Sequence, residues 1–174
     1  FAFRAGVFNV GGEGQLFAGA IATTVFSIVF SGLPAIVLFP LAIAAGILGG
    51  ALLGWIPGVL KVRLGVDEVV VTLMLNTIAL LFTSYLVNQV IRDTTAYGAV
   101  SWMVPEKIWL PTIPGIPGAT SGFIIAAVLS LASWVVLFRT KWGAEVRAAG
   151  TNLRYAEAVG IAAGGRVIWA MLIA

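Results

Sequence analysis

Between positions 35 and 57 the chain reads AIVLFPLAIAAGILGGALLGWIP, an apolar run without a formal charge. At 1.5 Å per helical residue, a run of about 20 residues or more crosses the roughly 30 Å of hydrocarbon in a bilayer. Within it Ala42, Gly46, Gly50 and Gly54 recur at every fourth position, flanked by Ala45 and Gly49. A helix face so nearly free of side chains lets another helix approach closely in lipid, where packing replaces the hydrophobic drive. The stripe reads as a helix-packing seam, an architectural feature.

The rest of the composition agrees with a lipid environment. The 174 residues are 60% hydrophobic and 10% charged, whereas soluble domains carry about 25% charged residues. Ten Lys or Arg and seven Asp or Glu are too few to coat a water-facing surface, which excludes a soluble α domain. Cysteine and histidine are both absent, which removes disulfides, thiolate chemistry, the commonest metal ligand and the usual neutral-pH proton carrier. No signal peptide is visible. The chain begins at Phe1 without an initiator methionine and stops at Ala174 inside an apolar run, so it reads as a piece of a longer membrane protein.

Further spans are expected at 15–31, 69–91 and 123–138, and the start of another at 158–174. Ser31-Gly32-Leu33-Pro34 is a tight turn, with Pro34 suited to the first position of a helix. Gly58 to Asp67, with Lys61 and Arg63, reads as a short polar turn. Asp67 is placed to cap the next helix, and Glu68 lies near its positive end. The expected fold is therefore all-α, a polytopic transmembrane helical bundle.

The third span is unusually polar, with Thr72, Asn76, Thr77, Thr83, Ser84, Asn88 and Gln89. At about 100° per residue, Thr72, Asn76 and Thr83 fall within roughly 40° of one another, with Thr77, Ser84 and Asn88 adjoining. That half is expected to face the bundle interior, since an unsatisfied amide in hydrocarbon costs several kcal/mol. Two readings stand side by side: these groups fasten helices together, or they line a solute path, with Asn76 the deepest candidate.

Arg92 to Gly122 is a long connection with prolines at 105, 111, 114 and 117 and with Tyr97, Trp102 and Trp109, as suits a segment at the headgroup level. Arg139 to Glu157 differs in kind: Arg139, Lys141, Arg147 and Arg154 stand against Glu145 and Glu157. Its small residues predict one or two short helices broken at Gly150-Thr151-Asn152. The 58–67 turn and this loop share one side and hold six Lys or Arg, while the 92–122 loop on the other side holds Arg92 and Lys107. By the positive-inside rule the first pair is cytoplasmic.

Three motifs carry a resemblance. Gly6-Val7-Phe8-Asn9-Val10-Gly11-Gly12-Glu13-Gly14-Gln15 resembles a signature of the branched-chain amino acid, ribose and nucleoside family of ATP-binding-cassette importer permeases, in its nucleoside or simple-sugar branch. Gly65-Val66-Asp67-Glu68-Val69-Val70-Val71-Thr72-Leu73-Met74-Leu75-Asn76 is similar to that branch's second signature, where an asparagine commonly stands in place of Asp67. Thr140-Lys141-Trp142-Gly143-Ala144-Glu145-Val146-Arg147-Ala148-Ala149-Gly150-Thr151-Asn152, followed by Ala156 and Gly160-Ile161, resembles the family's cytoplasmic coupling segment.

The resemblance implies a permease subunit in the cell membrane, the plasma or bacterial inner membrane. Its implied partners are a cytoplasmic ATP-binding cassette subunit, a second permease subunit and an extracytoplasmic solute-binding lipoprotein, all within or against the lipid bilayer. It also implies that Glu145, Arg147, Gly150 and Asn152 meet the ATPase, and that Asn9, Glu13 and Gln15 lie near the translocation path with Thr72, Asn76 and Asn88. Neither a cofactor nor a nucleic acid is expected, and hydrolysis belongs to the partner, so the chain is not itself an enzyme. Glu13 has two readings, a helix cap favoured by the dipole or a buried, paired functional carboxylate. Gly11, Gly12 and Gly14 are read as letting the backbone turn or unwind there. They form no phosphate loop, since no GKS or GKT follows. The rival functions are a secondary carrier or channel and a non-transporting membrane scaffold.

Overall fold

A computed structural model describes residues 1–95, 97–98, 100–115 and 120–174; Pro117 of the long connection lies outside the described residues. Among the described residues four helices are long and apolar enough to cross a membrane. They are α1 (Gly12–Val29), α2 (Ala35–Leu64), α3 (Glu68–Tyr85), which continues through a π-helical turn at Leu86–Val90, and α4 (Gly122–Arg139). Two short helices follow, α5 (Lys141–Thr151) and α6 (Leu153–Ala158), then a shorter apolar helix, α7 (Ala163–Ile173). A 3-10 turn, Ala2–Ala5, precedes α1. Among the described residues the only bridges between extended segments are two isolated ones, Arg92 with Ser101 and Thr112 with Thr120. The chain is thus an all-α, multi-pass membrane protein.

The small-residue stripe of α2 is where α1 lies. The Thr23 hydroxyl donates to the Ala42 carbonyl at 3.2 Å. A methyl placed on Gly46 meets Thr23 Oγ1 and the Gly19 carbonyl, and one on Gly50 comes 3.2 Å from the Gln15 carbonyl. At Gly54 the same face reaches Gln15 and the Met171 carbonyl of α7, and at Gly58 it reaches Ile168. One uninterrupted groove on α2 thereby seats two helices in succession, and Ala42 at its outer end is buried with Leu38 and Ile108.

α2 runs two turns further than the sequence reading placed it. Pro57 is interior to the helix, and Lys61 and Arg63 lie in its last turn rather than in a loop. A 30-residue helix is about 45 Å long, well beyond the hydrocarbon thickness, so both cations emerge at its end. It stops at Gly65, whose φ of 67° is the left-handed C-cap conformation, with its N–H donating to the Lys61 carbonyl. Asp67 then caps α3, accepting from the Val69 and Val70 N–H groups at 2.9 and 3.3 Å. Pro34 is the N-cap of α2, one residue before the first helical position.

The polar side chains of α3 are divided between inside and outside. Thr72 is 1% exposed, and Asn76 and Thr83 are half-buried, but Thr77 and Ser84 are exposed. The Thr77 hydroxyl donates to the Leu73 carbonyl one turn back, and Ser84 takes part in a local pair with Asn88. Small polar groups that bond within their own helix tolerate an outward position, so the angular grouping alone overstated the buried half.

The loops sort into two ends. Lys107 donates to the carbonyls of Ser31 and Leu33, both at 2.6 Å, tying the α3–α4 connection to the α1–α2 turn. At the opposite end Lys61 pairs with Glu68 at 2.6 Å, and Arg4 lies over the Phe138 ring beside α5. Every Lys and Arg except Arg92 and Lys107 belongs to this second end.

Gly46→Leu is expected to force α1 off α2, at the roughly 1–3 kcal/mol typical of overpacking. In a thermal-shift assay of the detergent-solubilised protein the midpoint falls by several degrees. Ile47→Leu, one residue along on an exposed position, leaves it unchanged; equal midpoints for the two variants count against the seam.

Candidate functional site

Asn76 joins the two signature segments that the resemblance singled out. Its Oδ1 accepts from the Gly14 N–H at 2.8 Å and its Nδ2 donates to the Val10 carbonyl at 3.0 Å. Gly14 is in the first turn of α1, where N–H groups have no partner within the helix. Asn76 therefore caps α1 from a distance of 62 residues along the chain. A methyl on Gly14 stands 2.7 Å from Asn76 Oδ1 and 3.0 Å from its Cα, so only glycine fits. A methyl on Gly11, the N-cap of α1, would likewise stand 3.2 Å from the Thr72 side chain.

These contacts revise the reading of the glycines. α1 starts at Gly12 as a continuous helix, and Gly11, Gly12 and Gly14 all avoid positive φ. Gly11 and Gly14 let α3 come close rather than letting α1 unwind, while a methyl on Gly12 would meet open space. The residue with φ of 76° is Gly6, and it sits against the Gly150 backbone, 2.9 Å from the Gly150 carbonyl for an added methyl.

The other path candidates occupy different surroundings. Asn9 Oδ1 accepts from the Gly11 N–H at 2.8 Å, which leaves its amide donors free. The Thr72 hydroxyl donates to the Glu68 carbonyl at 2.8 Å, within its own helix. Gln15 Nε2 donates to the Met171 carbonyl at 3.4 Å. Glu13 is exposed in the first turn of α1. Asn88 bonds to Ser84 within its own helix and does not join the group. Asn9, Thr72 and Asn76 thus come together, Gln15 lies one turn along α1, and Glu13 and Asn88 stand apart.

Two cavities beside this cluster lie between α4 and the end of α7, both bordered by Ser133, Ile173 and Ala174. One of about 350 Å³ is bordered by Phe3, Asn9 and Gly12. Another of about 520 Å³ is bordered by Gln15, Gly46 and Gly50.

The four residues expected to meet a partner are engaged within the chain. Glu145 pairs with Arg166 of α7 at 2.6 Å. Arg147 donates to the Leu137 carbonyl, an otherwise open acceptor in the last turn of α4, and lies over the Phe138 ring. Gly150 presses on the backbone of Arg4, Ala5 and Gly6. Asn152 caps α6, accepting from the Tyr155 N–H at 3.0 Å. What the segment presents outward is α6: Leu153, Arg154, Tyr155 and Glu157 are all exposed.

Sequence reasoning gave Glu68 only a dipole role, yet it binds Lys61 and accepts from the Phe8 N–H at 3.2 Å. Arg166, a lone charge within the last apolar run, is the partner of Glu145. An isolated charge within or beside an apolar run is the signal that pointed to each, since such a charge needs a partner.

The whole chain, residues 1–174, matches the family model described as branched-chain amino acid transport system / permease component. It is 35% identical to the guanosine ABC transporter permease protein NupP of Bacillus subtilis, over 99% of this chain and 50% of that protein. It is 30% identical to the nucleoside ABC transporter permease protein NupB of Lactococcus lactis, over 99% and 50%. With the glucose ABC transporter permease protein TsgB13 of Haloferax volcanii it shares 33% identity over 91% and 44%. The chain spans about half the length of these curated relatives. No solved structure matches it.

Gly14→Ala and Asn76→Leu each remove the same contact, and each is expected to cost about 1–3 kcal/mol from the unpaired groups left behind. Thermal midpoints of the two single variants and the double variant check this. The double variant loses clearly less than the sum of the singles; strict additivity contradicts a shared contact.

Proposed function

The chain belongs to the family of branched-chain amino acid transport system permease components, and from that premise we propose that it is the membrane-spanning part of an ATP-driven importer of nucleosides or simple sugars. The observation that carries the reading is a continuous line of contact. It runs from the 139–157 segment, through Gly150 against Gly6, to the start of α1 that Asn76 holds on α3.

In this reading the basic end of the bundle is cytoplasmic, as the positive-inside rule requires. The 139–157 segment docks a cytoplasmic ATP-binding cassette subunit. Glu145, Arg147, Gly150 and Asn152 fix the segment to α7, α4, the N-terminal turn and α6, so it moves as one piece with the helices it joins. α6 supplies the outward contact through Arg154, Tyr155 and Glu157. A second permease subunit pairs with this one in the bilayer, and an extracytoplasmic solute-binding lipoprotein delivers solute beside the 92–122 connection.

Solute passes along the polar ends of α1, where Asn9 and Gln15 offer amide groups. Glu13 and Asn88, both away from the cluster, mark the approaches to this path, while Thr72 and Asn76 keep its wall in place. Nucleosides lead as substrates because the guanosine and nucleoside permeases resemble the chain over nearly its full length. Simple sugars follow on the glucose permease. Both need hydrogen-bonding groups and weak binding that permits release.

The full-length protein, expressed with the partner ATPase and lipoprotein this reading calls for, is expected to take up radiolabelled guanosine or glucose only with an active ATPase. Uptake that persists with an ATPase-dead partner identifies a secondary carrier, and a complex that transports neither solute class contradicts the reading. Tyr155→Ala combined with Arg154→Glu is expected to reduce ATPase co-purification about tenfold, a loss of roughly 1.4 kcal/mol, without altering the thermal midpoint.

A further inference from the structure

α2 and α4 both end on the basic side, but they differ in length. α2, with 30 residues, is about 45 Å long and carries Lys61 and Arg63 clear of the hydrocarbon. α4 has 18 residues and is about 27 Å long, slightly less than the roughly 30 Å of hydrocarbon. A span this short keeps its last turns at the boundary between acyl chains and headgroups, where long basic side chains reach outward to the polar layer.

At that boundary three guanidinium groups lie on two neighbouring rings. Arg139 stands over Trp134, 5.9 Å from the ring centroid. Phe138, one turn along α4, has its centroid 6.1 Å from that of Trp134 and carries Arg4 at 5.5 Å and Arg147 at 5.3 Å. Arg4 comes from the turn before α1 and Arg147 from α5, so three segments each bring one cation. Lys141, exposed at the start of α5, adds a fourth.

Among the described residues no carboxylate pairs with any of the four. The ion pairs at this end are Lys61 with Glu68 and Arg166 with Glu145. Arg147 uses one donor on the Leu137 carbonyl, and a guanidinium has five. An aromatic face attracts a cation but has no net charge, so the excess of positive charge remains. Like charges beside a low-dielectric medium repel one another more strongly than in water.

An anion that itself resides at the headgroup level complements this corner. Phosphate accepts from guanidinium groups in bidentate fashion, and a phospholipid holds its phosphate above acyl chains that suit Trp134 and Phe138, 49% and 40% exposed. A zwitterionic lipid would bring a cationic amine to the same place. We propose that the corner between α4 and α5 binds an anionic phospholipid of the leaflet on the basic side. Arg4, Arg139 and Arg147 hold its phosphate, and the two rings lie against its chains. The site needs only the membrane end of α4 and does not rest on the importer reading.

The full-length protein in a neutral detergent is titrated with dioleoylphosphatidylglycerol or dioleoylphosphatidylcholine, and bound lipid is read by native mass spectrometry. The anionic lipid is expected to bind about tenfold or more tightly. Arg4→Gln combined with Arg139→Gln removes that preference, a loss of about tenfold or more for two cations near an anionic lipid. Arg139→Gln alone, at an exposed side chain, lowers it about threefold or more and serves if the double variant does not fold. Arg63→Gln, at the end of the longer α2, leaves it unchanged. Inorganic phosphate at the lipid's concentration displaces none of the bound lipid.

Equal binding of the two lipids overturns the site, and is the result that a carboxylate elsewhere in the full-length protein, paired with these guanidiniums, would produce. An unchanged preference in Arg139→Gln overturns it as well. An equal loss in Arg63→Gln identifies attraction to the basic face as a whole, and displacement by phosphate identifies a site for a free anion; either result removes the lipid site.

Discussion

Inside hydrocarbon there is no water to pair a backbone N–H or C=O that a helix leaves open. The first turn of α1 presents that problem, and Asn76 answers it by pairing with the Gly14 N–H and the Val10 carbonyl together. The arrangement requires α3 to lie within contact of the α1 entry, which only glycine at 14 permits. Once α1 is held there, its other side meets the small-residue groove of α2, and that groove continues to α7. The order of the bundle follows from one amide and the side chains omitted around it.

The charged end obeys the same constraint with stronger groups. Lys61 is neutralised by Glu68, Arg166 by Glu145, and Arg147 is turned onto a carbonyl that closes α4. Glu68 accepts from the Phe8 N–H as well, so α2, α3 and the segment before α1 meet at one carboxylate. These pairings gather the cations at one face while fastening α5 to the helices on either side. α6 remains outward, capped by Asn152 and carrying exposed side chains. A segment anchored on one side and exposed on the other is mechanically suited to transmit a partner's motion, as the proposed importer requires.

Against these close contacts, α4 is set apart. Its only buried residue is Leu137, near its end, in one cluster with Val146 of α5. Thr72, whose hydroxyl is bonded within α3, lies against the start of α1 at Gly11.

The spans, the all-α class and the resemblance to importer permeases were legible in the sequence, because apolar length, charge scarcity and ordered motifs are properties of the chain read in one dimension. The cap at Asp67 is equally local, since it bonds to N–H groups two and three residues ahead. What periodicity did not reveal was partnership. Asn76 stood open between fastening helices and lining a path, and its fastening role appears only when residues 62 and 66 positions away are brought beside it. Glu145 with Arg166 and Gly6 against Gly150 were decided by tertiary structure alone. The physical reason is that a hydrogen bond or a close contact depends on the distance between segments, and segment composition carries no record of that distance.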